Sequence, residues 1–324
     1  MGEGGRIRVK VMGPMFGAHM TSTYLDRYEF VYDAVCRDYD WLVVFDELPV
    51  QSDILACPQE RTILCTWEPV SIKSYSRVYT RQFGHLLTNR PPEAENHPHY
   101  HLGRGYFPWF VREVPKTGAA VDKPNVISAV CSAKQMKHTK HHARFRLVEA
   151  LAKVIPGFDW YGKGVKPLER KEKALAPYKY HVAIENHIAP HHWTEKFSDA
   201  ILCECLPFYA GDPAITEVFP AACFIPIPID DPAEAVRIVK AAIANNEYAK
   251  RREAILEAKR LIFAKYNFWR QVIAVIESSV LSPPPPTSDP QPSTCIYARK
   301  ELRKRSPSAA LEDGWEHLRR FLAR

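Results

Sequence analysis

Residues 178–211 read YKYHVAIENHIAPHHWTEKFSDAILCECLPFYAG, and the order of apolar and polar residues in this stretch decides the fold. An apolar run, His181–Ile184, ends in an acid and an amide, Glu185 and Asn186. A His-rich loop follows, then Thr194-Glu195-Lys196, a helical stripe of Phe197, Ala200 and Ile201, and a second buried run, Pro207–Tyr209, that leads into Gly211. Strand, loop, helix and strand in this order make a parallel pair covered by a helix. Thr194 is the predicted N-cap, because its hydroxyl can accept from a free amide of the first turn. A helix start at the carboxyl end of a parallel sheet offers unpaired amides and the positive end of the dipole, which together favour a phosphate group. Lys196 stands in that first turn against the dipole preference, a mismatch of about a few tenths of a kcal/mol. It gains sense if the lysine faces a diphosphate. From spacing alone, a solvated Glu195 and Lys196 on an ordinary helix is the competing reading.

The same alternation extends in both directions. Ile7–Val11, Trp41–Phe45, Thr62–Thr66 and His85–Thr88 read as strands, with helical patterns over Thr21–Arg37 and Ser71–Gln82. A second series has strands at Asn125–Val130, Phe158–Tyr161, His181–Ile184, Pro207–Tyr209 and Phe224–Ile227. Between them lie helical patterns at Arg144–Val154, Glu169–Leu175 and Thr194–Cys205, and helices over Pro232–Asn245, Glu247–Ala264 and Asn267–Ser279 close the series. The expected class is α/β, two consecutive parallel-sheet domains with a cleft between them and ligands beyond the carboxyl ends of the strands. The polar, Pro- and Gly-bearing stretch Val114–Lys123 is the expected seam, giving domains at 1–118 and 119–281. The Pro-rich run at 282–293 then reads as a stiff extended linker, and 294–324 as a separate basic tail. On this division a chain stopping at Leu281 should fold by itself.

Composition narrows the function. The 324 residues are 46% hydrophobic and 25% charged, which excludes bulk disorder and collagen-like repeats. The start, MGEGGRIRVKVMGP, has no apolar run of signal-peptide length, and nothing approaches the ~20 apolar residues of a membrane span. A cytoplasmic protein is expected. Eight cysteines without a CxxC pair read as buried free thiols rather than a disulfide framework. Of the net charge of +7, the tail 294–324 carries +4, from eight Lys or Arg against four acids, which leaves +3 for the body. That excess suits an anionic small molecule and lacks the dense basic face of a nucleic-acid binder.

Ile184-Glu185-Asn186-His187, His192-Trp193-Thr194-Glu195-Lys196 and Pro207-Phe208-Tyr209-Ala210-Gly211 together resemble, in order and spacing, the donor-binding motif of the family 10 glycosyltransferases, the α-1,3/4-fucosyltransferases, especially their bacterial branch. That motif reads roughly F-E-N-[ST], a variable stretch, Y-[VI]-T-E-K, a helix and P-[VI]-[VY]-x-G. The continuation GDPAITEVFPAACFIPI (211–227) is similar to the family's G-x-P loop and F-P segment. The resemblance implies a GT-B-type fold, two Rossmann-like domains with an interdomain cleft. It implies GDP-β-L-fucose as donor, a glycan or lipopolysaccharide hydroxyl as acceptor, inversion at the anomeric carbon, and no metal or other cofactor. Donor-binding roles fall by resemblance on Arg144, Glu185, Asn186, His192, Thr194, Glu195 and Lys196, with Arg146 as the rival to Arg144. Cys65-Thr66-Trp67-Glu68-Pro69 is similar to the family's N-F-E-S-P, which makes Glu68 the implied general base; read alone, Glu68 is equally a solvent-facing turn glutamate. His192 stands where the family often has Tyr, and Ile184 and His187 replace its Phe and Ser/Thr, so the sugar or nucleotide could differ.

His97, His99 and His101, with His187, His191 and His192, invite a metal reading, but no HExxH or paired CxxC accompanies them, and Pro98 and Pro190 mark both segments as loops. No metal is expected. His97–His101 either line an acceptor face or lie on the surface. In the tail, Leu311, Trp315, Leu318 and Leu322 recur at helical spacing beside Arg319, Arg320 and Arg324. A basic amphipathic helix of this kind suits peripheral contact with an anionic membrane at the inner face, and equally docking on the protein's own body.

Overall fold

The computed structural model describes residues 5–17, 20–118, 122–134, 140–280 and 294–322. The chain divides into two units, residues 1–103 with 269–324, and residues 104–268. The linker expected at 282–293 lies outside the described residues, as do the side chains of Leu318, Arg319, Arg320 and Leu322 in the tail and Arg324 altogether.

The first unit is a seven-stranded sheet. Its strands are β1 (Ile7–Met12), β2 (Thr23–Leu25), β3 (Tyr28–Val31), β4 (Trp41–Phe45), β6 (Thr62–Cys65), β7 (His85–Thr88) and β8 (Tyr100–Leu102), while β5 (Ser52–Ile54) stands apart from it. The order is β2-β3-β1-β4-β6-β7-β8, and every neighbouring pair is parallel except β2 with β3. All five residues of β4 and all four of β6 are buried, as parallel strands covered on both faces must be. The helix expected over 21–37 is instead the β2–β3 hairpin. Thr-Tyr-Leu and Tyr-Glu-Phe-Val are β-formers, and Asp26, at φ 54°, takes the left-handed conformation that a two-residue turn needs. Only Arg77–Thr80 of the expected helix 71–82 is helical.

The second unit is a five-stranded, wholly parallel sheet of β9 (Asn125–Val130), β10 (Phe158–Tyr161), β11 (Tyr178–Ile184), β12 (Leu206–Ala210) and β13 (Ile225–Pro226), in the order β10-β9-β11-β12-β13. The strands follow the expected runs closely. Helices His141–Val154, Glu195–Leu202, Pro232–Ala244 and Arg252–Ala264 surround it, and the 169–175 pattern shortens to a single 3₁₀ turn, Lys171–Ala174.

The observed division differs from the seam expected at 118/119. Residues 104–113 pack on the second unit: Tyr106, Phe107 and Val111 are buried, and Gly105, at φ +70°, would place an added Cβ 2.0 Å from the Trp193 ring. The Phe110 amide donates to Asp199 at 3.1 Å and the Glu113 amide to Glu172 at 3.0 Å. Packing overrides the polar composition of 114–123. The helix Phe268–Val280 similarly belongs to the first unit from residue 269 onward, where Trp269 donates to the Tyr32 hydroxyl at 2.8 Å and Glu277 accepts from the Tyr28 hydroxyl at 3.2 Å.

The tail also differs from a separate module. β14 (Cys295–Tyr297) pairs antiparallel with β5, and Ile296, Leu302 and Ala309 join the core cluster that holds Leu42, Leu64, Tyr79 and Leu86. Glu312 accepts from the Arg77 amide at 2.7 Å, at the start of the helix Arg77–Thr80. Leu311 and Trp315 remain exposed. Burying Ile296 and Leu302 contributes on the order of 3 kcal/mol after the entropy of ordering is counted. Truncation after Leu281 is therefore expected to lower the first unit's stability by about that amount, read by chemical unfolding of the two chain lengths. Equal stability would show that the docked tail adds nothing to this core.

Candidate donor site

The site grows from the end of β11. Glu185, the residue after that strand, has no exposed surface. Its carboxylate accepts from the Thr194 amide at 2.9 Å and from the Thr194 hydroxyl at 3.0 and 2.8 Å, and Lys196 Nζ lies 3.4 Å away. A buried charge is tolerated only with such partners. Thr194 is the N-cap: its backbone is extended and its hydroxyl accepts from the Lys196 amide at 3.4 Å. Phe197, Ala200 and Ile201 are fully buried and dock the helix Glu195–Leu202 on the sheet. Gly211 completes the arrangement, since an added Cβ would lie 2.2 Å from the Tyr209 hydroxyl and 2.7 Å from Glu185 Cγ. The Pro-x-x-x-Gly end of the motif thus leaves room for the buried acid.

Arg144 arrives from the helix His141–Val154. It is buried and donates from Nη1 to Asn186 Oδ1 at 2.5 Å, whereas Arg146 points to solvent. Arg144 is near enough to Lys196 to oppose its protonation. Burial also opposes the Lys196 charge, yet Glu195 and Glu185 outweigh both and raise the ammonium above the ordinary lysine range. Burial likewise opposes ionisation of Glu195, but Lys196 and Lys171 hold its carboxyl down to about 2. Burial raises Glu185, with Lys196 pulling it back.

A cleft of about 600 Å³ opens at the carboxyl ends of β9, β10 and β11, lined by Val130, Gly162, Ala183, Ile184, Glu195 and Lys196 among others. Its walls carry five cations, Arg112, Lys163, Arg170, Lys171 and Lys196, against three acids, Glu169, Glu172 and Glu195. The size suits a nucleotide and the charge suits phosphate. Lys171 was not singled out from sequence. It binds Asp199 at 2.7 Å and the Glu195 carbonyl at 3.3 Å, which ties the cleft wall to the helix Glu195–Leu202. Burial pushes Asp199 up to about 6 against the pull of Lys171. The available signal is the density of Lys and Arg over 163–173 directly after a strand, part of which falls in the helical pattern expected at 169–175.

His192 is buried, edge-on to Phe107 and to His187 at centroid distances of 5.7 and 5.3 Å, and burial pushes it down to about 3. It is therefore neutral at pH 7. Trp193 is wholly buried among Phe197, Phe219 and Tyr266. In the first unit, Glu68 follows the carboxyl end of β6 in a half-buried loop. The Tyr75 hydroxyl accepts from the Trp67 and Glu68 amides at 3.3 and 3.4 Å and itself donates to Asp46, so the loop is anchored. Among the described residues, no group of three His, Cys, Asp or Glu side chains is arranged to hold a metal ion. Among them also, no helix is long and apolar enough to cross a membrane.

Each unit is thus built on an open, mostly parallel sheet, and the second carries a cation-lined cleft at its strand ends, where sheets of this kind take phosphate-bearing ligands. A crystal structure of α1,3-fucosyltransferase with GDP superposes with a TM-score of 0.52 at 14% identity, covering 90% of this chain and 95% of that one. One with GDP-fucose gives the same values, and a further α1,3-fucosyltransferase structure gives 0.51 at 15% identity over 87% and 92%. At such identity the likeness establishes the fold. The family model for the C-terminal part of glycosyltransferase family 10 (fucosyltransferase) matches residues 120–304, and the chain belongs to that family. No curated protein matches the sequence.

The depressed Glu195 carboxyl has a consequence for acid stability. A group whose folded pKa is lowered contributes stability that is fully present above its unfolded value and is lost as pH falls through the folded value. For Glu195 that window runs from the ordinary 4.5 down to about 2. The stability advantage of the wild type over Glu195→Gln is expected to be largest above pH 4.5 and to shrink as pH falls toward about 2. Unfolding midpoints of both proteins across that range test it, and a gap independent of pH would remove the Lys196 and Lys171 pairing.

Proposed function

We propose that this chain transfers L-fucose from GDP-β-L-fucose to a hydroxyl of a glycan or lipopolysaccharide acceptor, with inversion, in an α-1,3/4-type linkage and without a metal ion. The observation that carries the reading is the convergence of Arg144, Asn186 and Lys196 with the capped first turn at Thr194. Glu68 takes the acceptor proton as the hydroxyl oxygen attacks the anomeric carbon. The bond from that carbon to the phosphate oxygen breaks, and its electron pair leaves with GDP. Arg144, Lys196 and the amides at 194–196 stabilise the charge growing on the diphosphate, which is the task a divalent cation performs in other transferases. Glu195 and Asn186 hold the sugar hydroxyls. Glu185, wholly enclosed, acts through Thr194 and Lys196.

Transfer of a different GDP-sugar is a second reading, favoured by the buried His192 where the family often shows Tyr. A third, a nucleotide-sugar binder without turnover, is separated from the first by the effect of losing Glu68. Exposed Leu311 and Trp315 on the basic tail support peripheral contact with an anionic membrane.

Arg144→Ala and Lys196→Ala are each expected to weaken GDP binding by about 1.5–3 kcal/mol, the range for hydrogen bonds to charged groups. Calorimetric titration with GDP measures it, and unchanged affinity in both would displace the diphosphate from this site. Glu68→Gln is expected to keep donor affinity while transfer falls roughly 100-fold or more. Transfer at the wild-type rate would assign the base elsewhere. Activity is expected to persist in excess EDTA, and its loss with recovery on adding Mn²⁺ would refute the metal-free scheme.

A further inference from the structure

At the other end of the first sheet from Glu68, one face carries three histidines that the transfer chemistry does not use. Leu86 pairs with Tyr100 and Leu87 with His101, so strand alternation puts His85, His99 and His101 on the same face of the β7–β8 pair. His85 Nδ1 lies 3.1 Å from His101 Nε2. The ring centroids of His99 and His101 stand 5.3 and 5.2 Å from that of His85. The segment 97–101, expected as loop, runs into the edge strand β8, and this is what fixes the pairing.

We propose that His85, His99 and His101 form a binding site for a zinc-class divalent cation. Two imidazole nitrogens on one tetrahedral zinc ion, each about 2.0–2.1 Å from it, stand roughly 3.3 Å apart. The 3.1 Å pair needs to open by only a few tenths of an ångström. The His85 ring also hydrogen-bonds the Glu60 backbone. A carbonyl partner of that kind fixes the tautomer and orientation of a metal-ligating histidine. Gly84 makes this approach possible, because an added Cβ would sit 2.6 Å from the Gln59 carbonyl oxygen.

His97 takes no part. Its Nε2 faces the Phe83 carbonyl at 3.1 Å and its Nδ1 accepts from the His99 amide at 3.2 Å, which steadies the backbone that presents His99. Among the described residues no three donors converge as the chain stands. Rotation of the exposed His99 side chain brings the third, and water fills the fourth position. The bound cation ties the edge strand β8 to β7.

The test is titration of the full chain, first freed of metal by chelation, with Zn²⁺ alone by calorimetry and with Co²⁺ followed by its visible absorption. One equivalent of Zn²⁺ is expected to bind, with a tetrahedral Co²⁺ spectrum. Affinity should fall on the order of tenfold or more in His99→Ala and in His101→Ala, and should be kept in His142→Ala, on the exposed face of another helix. His85 is buried and its loss could unfold the strand, so the two more accessible positions carry the test. Absence of saturable Zn²⁺ binding, or binding that survives both substitutions, would overturn the proposal.

Discussion

One buried carboxylate organises the second unit. Glu185 stands at the carboxyl end of β11 with no exposed surface, and a charge there without partners would cost several kcal/mol. It is accommodated because Thr194 turns both its amide and its hydroxyl toward it and Lys196 supplies the counter-charge. The same contacts start the helix Glu195–Leu202, hold Lys196 in its first turn and require glycine at 211. The cluster proposed to bind the donor is thus a by-product of satisfying one acid. Removing Glu185 would release the N-cap and the lysine together.

The placement of Lys196 follows from this. A lysine in the first turn opposes the helix dipole, but here Glu185 and Glu195 more than compensate and keep it charged. Arg144, held by Asn186, adds a second cation beside it, and Lys171 ties the far wall of the cleft to the helix through Asp199. The cations are fixed before any ligand arrives. In the proposed transfer, such preorganised charge would stabilise a departing diphosphate without reorganisation during the reaction.

The central strands were legible in the sequence because parallel strands covered on both faces are continuous apolar runs, as WLVVF and HVAI are. The 21–37 segment was not, since its mixed pattern fits a helix until the turn at Asp26 is seen. Composition misplaced the seam: a polar Pro/Gly stretch marks a loop, but Gly105 against Trp193 and Phe110 against Asp199 decide which unit owns residues 104–113. It also set the tail apart, although the short apolar triplet Cys295–Tyr297 finds an unpaired strand, β5, to join. At the candidate site, the motif singles out Glu185, Thr194 and Lys196, which the structure brings into contact. The enclosure of Glu185, the burial of Arg144 rather than Arg146, and the role of Lys171 depend on packing between segments distant in sequence.

The most direct test compares nucleotide release from purified nucleotide sugars by the full chain and by Glu185→Gln. The wild-type chain should consume GDP-fucose and leave UDP-sugars intact. The variant should fold and yet lose roughly 100-fold in rate, as expected when a reacting group is misplaced by about an ångström. Preference of the wild type for a UDP-sugar, or a variant as fast as the wild type, would contradict the account.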